Sequence, residues 1–362
     1  MREVRPRLDP GSCDRERSRE GTKMKHESWI RPTLHEVADE AHVSISTASR
    51  VVNRRDDLVT PETQARVWEA IRKLGYSPNR AARTLRAQGS SVVGVVVPDL
   101  ANPYYSLLIR GAQQAASDAA AALLVCGSSL SRATETQAIN LLYDEGVQGV
   151  VLLSADETSE EAIQQLLRAR IAVVAVHRRV QGIPIVKADT SRGAYSLGLH
   201  LLDVGYRRLA VISGPEYLST FVETRDGVER AIHENGSGAL QVLHGEFSYE
   251  FGYDSASRLL RNGTVDAIVA QNDMMAMGAL HAAADLGISV PDSLGIAGIG
   301  QLPWAEQMRP KLTTVHLPFA QMGREAIQRV LQAGSQHQTA AESPILVPRL
   351  VIGDTTCRNA SN

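Results

Sequence analysis

Two kinds of hydrophobic pattern divide the chain near residue 91. Before it, apolar residues recur at intervals of three and four, as on one face of an amphipathic helix. After it, short continuous runs rich in valine and isoleucine alternate with longer stretches of helical periodicity. The runs cover residues 92–97, 123–126, 149–153, 172–176, 209–212, 267–270 and 295–299. The pattern predicts a small all-α region followed by a large α/β region.

The α/β region, residues 91–357, is expected to be a two-lobed domain. Continuous apolar runs between helices predict parallel strands that are covered by helices on both faces. There are too many strands for one compact half, so we expect two similar lobes. Ligands of such folds bind at the carboxyl ends of the strands, which places the predicted site between the lobes. No G-x-G-x-x-G or Walker motif follows any of these runs, which argues against a nucleotide-binding enzyme.

The all-α region, residues 32–78, begins with the signals of a helix-turn-helix. Thr33 and Glu36 are spaced as a capping box, in which each side chain satisfies a free backbone amide at the start of a helix. A tight turn follows, and Ser44 is the expected cap of a second helix over residues 45–52. Two short helices joined by so brief a turn are typical of a DNA-binding module.

A third helix and a short basic segment complete this region. Thr60 is the expected cap of the third helix, Pro61 occupies its first turn, and Gly75 ends it. Residues 79–90 then form a basic, alanine-rich helix and a linker. This segment has too few apolar residues to fold by itself, so we expect it to become ordered only against a partner.

The first residues of the chain carry alternating charges and show no periodicity. We therefore expect residues 1–31 to be a disordered extension. Met24 is an alternative start to Met1, and the sequence leaves that choice open.

Charge is distributed unevenly along the chain. The formal net charge over 362 residues is −2, but no acidic residue lies between positions 70 and 98, where there are five arginines and lysines. A basic module joined to a neutral body is typical of a DNA reader with a separate sensor. The three cysteines are scattered, and no stretch is apolar enough to span a bilayer. We predict a cytoplasmic protein with no cofactor, no metal and no membrane partner.

Together these motifs resemble the lactose-repressor/galactose-repressor family of transcription regulators. The most specific similarity is TLHEVADEAHVSISTASRVVN, residues 33–53, which contains the predicted helix-turn-helix. The other similar segments are residues 74–85, 94–105, 146–150, 214–215, 272–278 and 312–315. The resemblance implies a sequence-specific regulator, with repression as the expected output. Its expected fold is an all-α helix-turn-helix headpiece joined to an α/β two-lobed sensor that resembles the periplasmic binding proteins.

In this family the second helix enters the major groove of double-stranded DNA. The resemblance assigns base contacts to Ile45 and Ser46, and a guanine or phosphate contact to Arg50. Three further residues are expected to hold backbone phosphates: Thr47, Ser49 and Asn53. For Ser46 and Thr47 taken alone, a role as helix-capping and solvated residues would be the preferred interpretation.

Residues 79–90 match the hinge helix of the family, which binds the minor groove. By resemblance, Leu85 is an apolar wedge at a central base step and Ala82 lets the backbone approach closely. Asn79 is assigned to the same DNA contact set. Two hinge helices would pack together over the operator, so the resemblance implies a homodimer and a palindromic operator. Residues 331–362 have no leucine heptads, which gives no support for a tetramer.

The resemblance also implies an effector site lined from both lobes. The matching positions are Asn102, Tyr104, His177, Arg178, Asp189, Thr224, Phe247, Asn272, Asp273 and Gln301. Many sugar-binding relatives have Asp at the position of His177, Arg at that of Thr224 and Asp at that of Gly300. The loss of two carboxylates, together with the basic run from His177 to Arg179, favours an anionic effector such as a sugar acid or sugar phosphate. A neutral sugar stays open, and Asn272 and Asp273 also suit a helix cap.

Three other interpretations are weighed against this one. An enzyme on the same scaffold would need a nucleophile–base pair or a phosphate loop, and none is recognisable. A transport-type solute-binding protein would have a secretion signal and no helix-turn-helix, the opposite of what is seen. A DNA-binding regulator with an unresponsive sensor is harder to exclude because of the changed pocket positions. The sequence does not distinguish induction from corepression.

Overall fold

The computed structural model describes residues 32–52, 59–76, 92–153, 159–177, 180, 182–216, 219–236, 238–336 and 345–358. The chain divides into two compact units, Met1–Ala87 and Gln88–Asn362. The predicted segments 1–31 and 79–90 lie outside the described residues.

The described residues of the N-terminal unit form three helices around a small apolar core. They are α1 (Leu34–Glu40), α2 (Ile45–Val52) and α3 (Pro61–Leu74). The core consists of Val37, Ala41, Val51, Val67 and Ala70. All five are at most 3% exposed, because each helix turns one apolar stripe inward.

Local hydrogen bonds explain where the first helices begin. The Glu36 carboxylate accepts from the Thr33 amide at 2.6 Å and the Glu36 amide donates to the Thr33 hydroxyl at 3.3 Å, so the predicted capping box is present. The Ser44 hydroxyl accepts from the Thr47 amide at 3.1 Å and caps α2. Thr60 is the N-cap residue of α3, as predicted, but its hydroxyl donates to Thr63 Oγ1 and caps no backbone amide.

The C-terminal unit contains two sheets, each with helices on both sides. The strands of the first sheet are β1 (Val92–Val97), β2 (Ala122–Gly127), β3 (Gly149–Leu152), β4 (Ala172–Val176) and β5 (Ile185–Val186), all parallel in the order β2-β1-β3-β4-β5. Its helices are α4 (Pro103–Asp118), α5 (Arg132–Asp144) and α6 (Glu160–Arg168). We call this half the first lobe.

The second lobe is built around the second sheet. Its strands are β6 (Arg208–Ser213), β7 (Ala239–His244), β8 (Ala267–Ala270), β9 (Gly295–Gly300), β10 (Thr313–His316) and β11 (Arg349–Val351), in the order β11-β10-β9-β8-β6-β7. Its helices are α7 (Thr190–Asp203), α8 (Ser219–Asn235), α9 (Tyr249–Arg261) and α10 (Asp273–Asp285). The strands pair in parallel except for β11, which is antiparallel to β10. Central strands β8 and β9 are buried along their whole length.

Every apolar run predicted from the sequence is a strand, but four strands were not predicted. They are β5, β7, β10 and β11. Strand β7 lies at a sheet edge, where half-buried and exposed positions alternate and no continuous apolar run is needed. Strand β10 begins with Thr313 and Thr314, which are buried because other side chains satisfy their hydroxyls. A polar residue with a buried partner looks like a loop residue in the sequence.

The chain crosses between the lobes at the carboxyl ends of their strands. It passes from β5 into α7, and returns from β10 into α11 (Phe319–Gln336), which packs on α4, β3 and β4 of the first lobe. A Cβ atom on Gly111 of α4 would overlap the Ala320 carbonyl, and one on Gly323 would overlap that of Leu108. These two glycines therefore let α4 and α11 pack backbone against backbone. Both helices start at the edge of the interlobe cleft.

Candidate functional site

The first candidate site is the exposed face of α2. Ala48 and Val51 are fully buried in the headpiece core, whereas Ile45, Ser46 and Arg50 lie on the opposite, exposed side. Thr47 and Ser49 are half-buried. The structure therefore brings five of the predicted DNA contacts onto one short helix, while the predicted contacts Asn53, Asn79, Ala82 and Leu85 lie outside the described residues.

Some polar residues of this face are already hydrogen-bonded within the protein. The Ser44 hydroxyl lies 2.8 Å from the hydroxyls of both Ser46 and Thr47, so these groups already have a partner within the turn. Ile45, in contrast, leaves an apolar side chain 41% exposed at the first position of the helix. Together with the exposed guanidinium of Arg50, it forms the part of this face that is accessible to a binding partner.

A basic residue on α3 is engaged within the unit. Lys73 Nζ lies 2.5 Å from Glu40 Oε1, and this carboxylate raises the pKa of Lys73. Its charge is therefore partly neutralised on the protein surface. Arg50 is the stronger candidate for contact with DNA, because α2 carries no acidic residue.

The second candidate site is a cavity of about 150 Å³ between the two lobes of the C-terminal unit. Its wall is formed by Asn102, Tyr104, Tyr105, His177, Thr190, Ser219, Thr220, Phe247, Gln271, Asn272, Ile299, Leu317 and Phe319. These residues follow strands or begin helices of both lobes. The cavity therefore lies where the parallel-sheet topology predicts a ligand site.

Five of the predicted effector residues line this cavity. Asn102 caps α4 and Asn272 caps α10, so the amide oxygen of each accepts a backbone hydrogen bond and the rest of each side chain faces the cleft. Tyr104 lies in the first turn of α4, His177 follows β4, and Phe247 follows β7. A short turn from strand to helix at each place explains why they meet.

Tyr104 connects the two lobes. It belongs to α4 of the first lobe, and its hydroxyl accepts from the Asp273 amide at 2.6 Å and lies 3.2 Å from the Ile299 carbonyl oxygen, to which it donates. Its ring packs edge-on against Phe319, with centroids 5.4 Å apart. Burial raises the pKa of Tyr104 well above its usual value, so the hydroxyl stays protonated.

Asp273 is buried behind the cavity wall and is committed to the framework. Its carboxylate accepts from the Thr314 hydroxyl at 2.6 Å and from the Leu302 amide at 2.6 Å. Burial is the largest influence on this group and raises its pKa to about 6. Asp273 therefore holds strand β10 and the turn after β9 in place, and it is not among the residues that line the cavity.

The other predicted effector residues also lie away from the cavity wall. Asp189 caps α7 by accepting from the Arg192 amide at 3.0 Å, and it borders a separate polar cavity beside Tyr195 and Arg230. Gln301 donates to Glu306 Oε1 at 2.6 Å. Thr224 is fully buried without lining the cavity. Arg178 lies outside the described residues.

His177 does not carry the positive charge that the sequence suggested. The residue is half-buried at the cavity wall, and its ring lies 5.7 Å from the ring of Phe319, measured between centroids. Burial lowers the pKa of His177 to about 4, so the imidazole is neutral at pH 7. His177 therefore contributes no positive charge to the cavity, while Arg178 and Arg179 of the same basic run lie outside the described residues.

Gly300 is another position at which this chain differs from many sugar-binding relatives, which have Asp there. Its φ angle is +134°, and a Cβ atom built on it would overlap the ring of Tyr104. An aspartate at this position would require Tyr104 to move. The aromatic ring occupies the space that a side chain at position 300 would need.

Several cavity residues were not predicted from the sequence: Tyr105, Thr190, Ser219, Thr220, Gln271, Ile299, Leu317 and Phe319. Gln271 is the direct neighbour of Asn272, so its place at the end of β8 was a usable signal. Phe319 and Leu317 follow β10, a strand that the apolar pattern did not reveal. Thr190 is 3% exposed, and its hydroxyl has no hydrogen-bond partner within the described residues.

The described part of the chain holds neither a metal site nor a membrane-spanning helix. No group of His, Cys, Asp and Glu residues is arranged to hold a metal ion there. No helix in the same regions has both the length and the apolar character of a bilayer span.

Comparisons with known proteins give a family match for each of the two regions of the chain. Residues 33–79 match the family described as bacterial regulatory proteins, lacI family. Residues 90–354 match the periplasmic binding proteins and sugar binding domain of LacI family. The first match contains α1 to α3, and the second contains both lobes and the cavity between them.

Individual relatives extend over almost the whole chain. Catabolite control protein A of Priestia megaterium is 31% identical over 325 residues, which cover 88% of this chain and 97% of the relative. The ribose operon repressor of Halalkalibacterium halodurans is 29% identical over 330 residues, which cover 90% and 97%. The relatives are thus transcription regulators of about the same length.

Solved structures show the same architecture. The transcriptional regulator CelR in complex with cellobiose is 28% identical, with a TM-score of 0.68, covering 90% of this chain and 100% of that one. A LacI-family regulator from Silicibacter pomeroyi is 26% identical, with a TM-score of 0.77, covering 90% and 99%. The predicted family and fold are confirmed: the chain is a DNA-binding transcription regulator with an effector-sensing domain, and it belongs to the LacI family of bacterial regulatory proteins.

Proposed function

We propose that the chain is a homodimeric repressor that acts in the cytoplasm on a palindromic operator, and that a carbohydrate-like molecule in the interlobe cavity sets its affinity for that operator. The observation that carries this proposal is the presence, in one chain, of a helix with an unused exposed face and a cavity walled by two lobes. Relatives named for a ribose operon and for cellobiose binding support a carbohydrate-like effector. No catalytic step is part of this function.

In the proposed operator complex, α2 lies in the major groove. Arg50 donates two hydrogen bonds to a guanine, and Ile45 contacts a thymine methyl group. Ser46 and Thr47 are held by Ser44, so they bind phosphates or position the helix and contribute little to base discrimination. Ser49 is assigned to a phosphate. Roles for Asn53, Asn79, Ala82 and Leu85 stay predictions from the family resemblance.

The effector is proposed to act through the closure of the two lobes. A ligand that contacts Tyr104 and Asn102 of the first lobe and Asn272 of the second favours the state in which both walls are at contact distance. Operator binding then changes by the coupling free energy between the two sites, which corresponds to about 5- to 150-fold in affinity for regulators of ordinary strength. The same coupling makes operator DNA change effector affinity by an equal factor.

Selection from a library of random palindromes tests the DNA-reading part of this proposal. The full chain is expected to enrich one palindromic sequence, and Arg50→Ala is expected to lose about 1–3 kcal/mol of preference for it. Arg168→Ala is the matched control, because Arg168 is an exposed arginine of the C-terminal unit. Equal binding of the full chain to the enriched palindrome and to scrambled DNA would rule out the proposed operator function.

A further inference from the structure

We infer that Tyr104 is a latch built into the sensor: from the first lobe it places its phenol in a polar subsite of the second lobe, and it thereby favours closure of the two lobes. This inference deepens the proposed function and rests on it, because it assigns part of the closed state to the chain itself as well as to the effector.

A backbone amide at the start of a second-lobe helix is bonded to Tyr104. Asp273 is the first residue of α10, and the amides in the first turn of a helix have no acceptor within that helix. The Asn272 side chain accepts from the Met275 amide at 2.7 Å, whereas the Tyr104 hydroxyl accepts from the Asp273 amide at 2.6 Å. Tyr104 therefore acts as a cap for a helix of the other lobe.

The same hydroxyl also has an acceptor in the second lobe. Tyr104 donates to the Ile299 carbonyl oxygen at 3.2 Å, and Ile299 lies near the end of the buried strand β9. The phenol thus donates one hydrogen bond and accepts another across the cleft. Tyr104 is 8% exposed, so water competes little for either bond.

Gly300 provides the space in which the phenol ring lies. Its φ of +134° is a conformation that glycine adopts readily and other residues rarely adopt. A Cβ atom at this position would overlap the Tyr104 ring. The second lobe therefore presents a donor, an acceptor and an open backbone position together, and a side chain of the first lobe fills this subsite.

Opening of the cleft would separate the phenol from both of its partners. One intramolecular hydrogen bond shifts an equilibrium by about 2- to 12-fold once exchange with water is taken into account. The two bonds of Tyr104 together therefore favour closed over open lobes by about 5- to 150-fold.

A second link near the crossover between the lobes is weaker. Lys187, which follows β5, has its Nζ atom 3.5 Å from Oε1 of Glu223 on α8. Both side chains are partly exposed, so solvent screens this ion pair and its contribution is small. Tyr104 is buried and bonded to backbone groups, which makes it the stronger of these two links.

The latch has a consequence for regulation. Its hydrogen bonds join protein to protein, so they favour closure whatever molecule the cavity holds. An effector changes operator affinity only as far as it shifts the balance between open and closed lobes. A balance that already lies toward closure leaves less to shift. Tyr104 therefore limits how strongly the sensor responds, and loss of its hydroxyl should make operator affinity more dependent on the effector.

Electron paramagnetic resonance distance measurements on the full chain test this inference with no ligand added. Leu141→Cys on α5 and Glu229→Cys on α8 place one spin label on each lobe, because both side chains are exposed. An excess of unlabelled chain ensures that only distances within one chain are measured. The native cysteines are replaced by serine: Cys13, Cys126 and Cys357.

The unchanged chain is expected to give one narrow distribution of distances. Tyr104→Phe keeps the ring and removes the hydroxyl, so the ratio of open to closed chains should rise about 5- to 150-fold and a second distance should appear. Tyr206→Phe is the matched control, because Tyr206 is fully buried and its hydroxyl donates to the Pro291 carbonyl oxygen at 2.9 Å within the second lobe. This control loses a buried hydrogen bond but should keep the distances of the unchanged chain.

Three results would overturn the inference. They are a mainly open unchanged chain, an unaltered distribution in Tyr104→Phe, and an equal shift in Tyr104→Phe and Tyr206→Phe. The last result would show that any lost buried hydrogen bond loosens the sensor, so that Tyr104 has no special role as a latch.

Affinity for the palindrome enriched by selection separates this inference from the proposed function. If Tyr104→Phe opens the lobes and operator affinity changes, both are supported. If it opens the lobes and operator affinity stays the same, the latch holds and the proposed link between lobe closure and operator binding fails. If the lobes stay closed in this variant, the latch is wrong, whereas selection of a palindrome by the unchanged chain still supports the proposed function.

Discussion

The exposed face of α2 and the wall of the interlobe cavity depart from the usual rules of burial in opposite ways. Ile45 is an apolar side chain left 41% exposed to water, and Thr190 is a polar side chain 3% exposed without a hydrogen-bond partner in the described residues. Neither arrangement favours folding. In both cases a binding partner would correct the departure, so each residue is one position at which binding and stability can be tested separately.

Two residues next to the cavity, in contrast, serve the packing and hydrogen bonding of the fold. Asp273 follows Asn272 directly, yet it is fully buried and its carboxylate is satisfied by Thr314 and Leu302. Gly300 likewise lies at the cavity without offering it a side chain, because it makes room for Tyr104. These are framework positions. Substitutions there should reduce stability, whereas substitutions at the site positions should reduce binding.

The largest effect is expected for Gly300→Ala. The new methyl group would overlap the Tyr104 ring and would hold a φ of +134°, so we expect a loss of about 3 kcal/mol in the free energy of unfolding. Gly263→Ala is the control, because Gly263 has a φ of +62° and open space around it; its expected loss is about 1 kcal/mol. Urea unfolding of both variants measures the difference, and equal losses would show that Tyr104 does not fill this space.

The two buried titratable groups near the cavity should give opposite dependences of stability on pH. The raised pKa of Asp273 makes its contribution greatest below pH 4 and removes it as the pH rises through about 6. The lowered pKa of His177 makes its contribution greatest above pH 6.5 and removes it as the pH falls to about 4. Each contribution is about 3 kcal/mol, so the two nearly cancel in the unchanged protein.

Neutral substitutions should reveal each dependence separately. In Asp273→Asn, the unfolding free energy should rise by about 3 kcal/mol more steeply than in the unchanged protein between pH 4 and pH 6.5, because only His177 of this pair still titrates. In His177→Asn, it should fall by about the same amount over that interval. Urea titrations at half-unit pH steps measure both slopes. Slopes of the same sign in the two variants would contradict the burial of one of the groups.

An intermediate effect is expected for Tyr104→Phe. The change removes the hydroxyl that accepts from the buried Asp273 amide, and an unsatisfied buried amide costs about 1–3 kcal/mol. Tyr105→Phe is the neighbouring control, since no hydrogen bond of the Tyr105 hydroxyl is formed within the described residues; we expect a change below about 0.5 kcal/mol. A larger loss in Tyr105→Phe than in Tyr104→Phe would show that Tyr105, and not Tyr104, forms the stabilising link between the lobes.

The smallest effects on stability are expected at the site positions themselves. Ile45→Ser should change the unfolding free energy by less than about 0.5 kcal/mol, and Thr190→Val should raise it by about 1 kcal/mol because an unpartnered hydroxyl is removed. Operator binding by the first variant and effector binding by the second should nevertheless fall. Differential scanning calorimetry measures the stability change. A large destabilisation in either variant would show that the residue stabilises the fold instead of serving mainly in binding.

Sequence patterns were most successful where one local rule decides the structure. The helix-turn-helix follows from capping residues and a narrow apolar stripe, and these act within a few residues of each other. Asn102 and Asn272 were assigned to the cavity by the family resemblance, and both lie in the turn between a strand and the helix that they cap. The family resemblance then extended these local features to the whole chain.

The rest depends on contacts between residues distant in sequence. The sequence around Asp273 does not reveal its hydrogen-bond partner Thr314, which lies 41 positions away. From the sequence, Asp273 therefore looked as suitable for ligand contact as its neighbour Asn272. The charge of His177 depends on how deeply the fold buries it. Phe319 follows a strand whose first two residues are threonines, and only the buried partners of those threonines explain why that strand forms.

The close packing of α4 against α11 has a consequence for how the sensor moves. With glycines at 111 and 323, the two backbones lie in direct contact, so we expect the helices to move together as a single rod. This rod carries Tyr104 at one corner and Phe319 at the other. The residues between His316 and Phe319 and the short connection before Thr190 are two of the connections that a rotation of the first lobe would bend. These connections lie beside the cavity. A ligand bound there would therefore contact the first lobe close to the residues about which the lobe rotates.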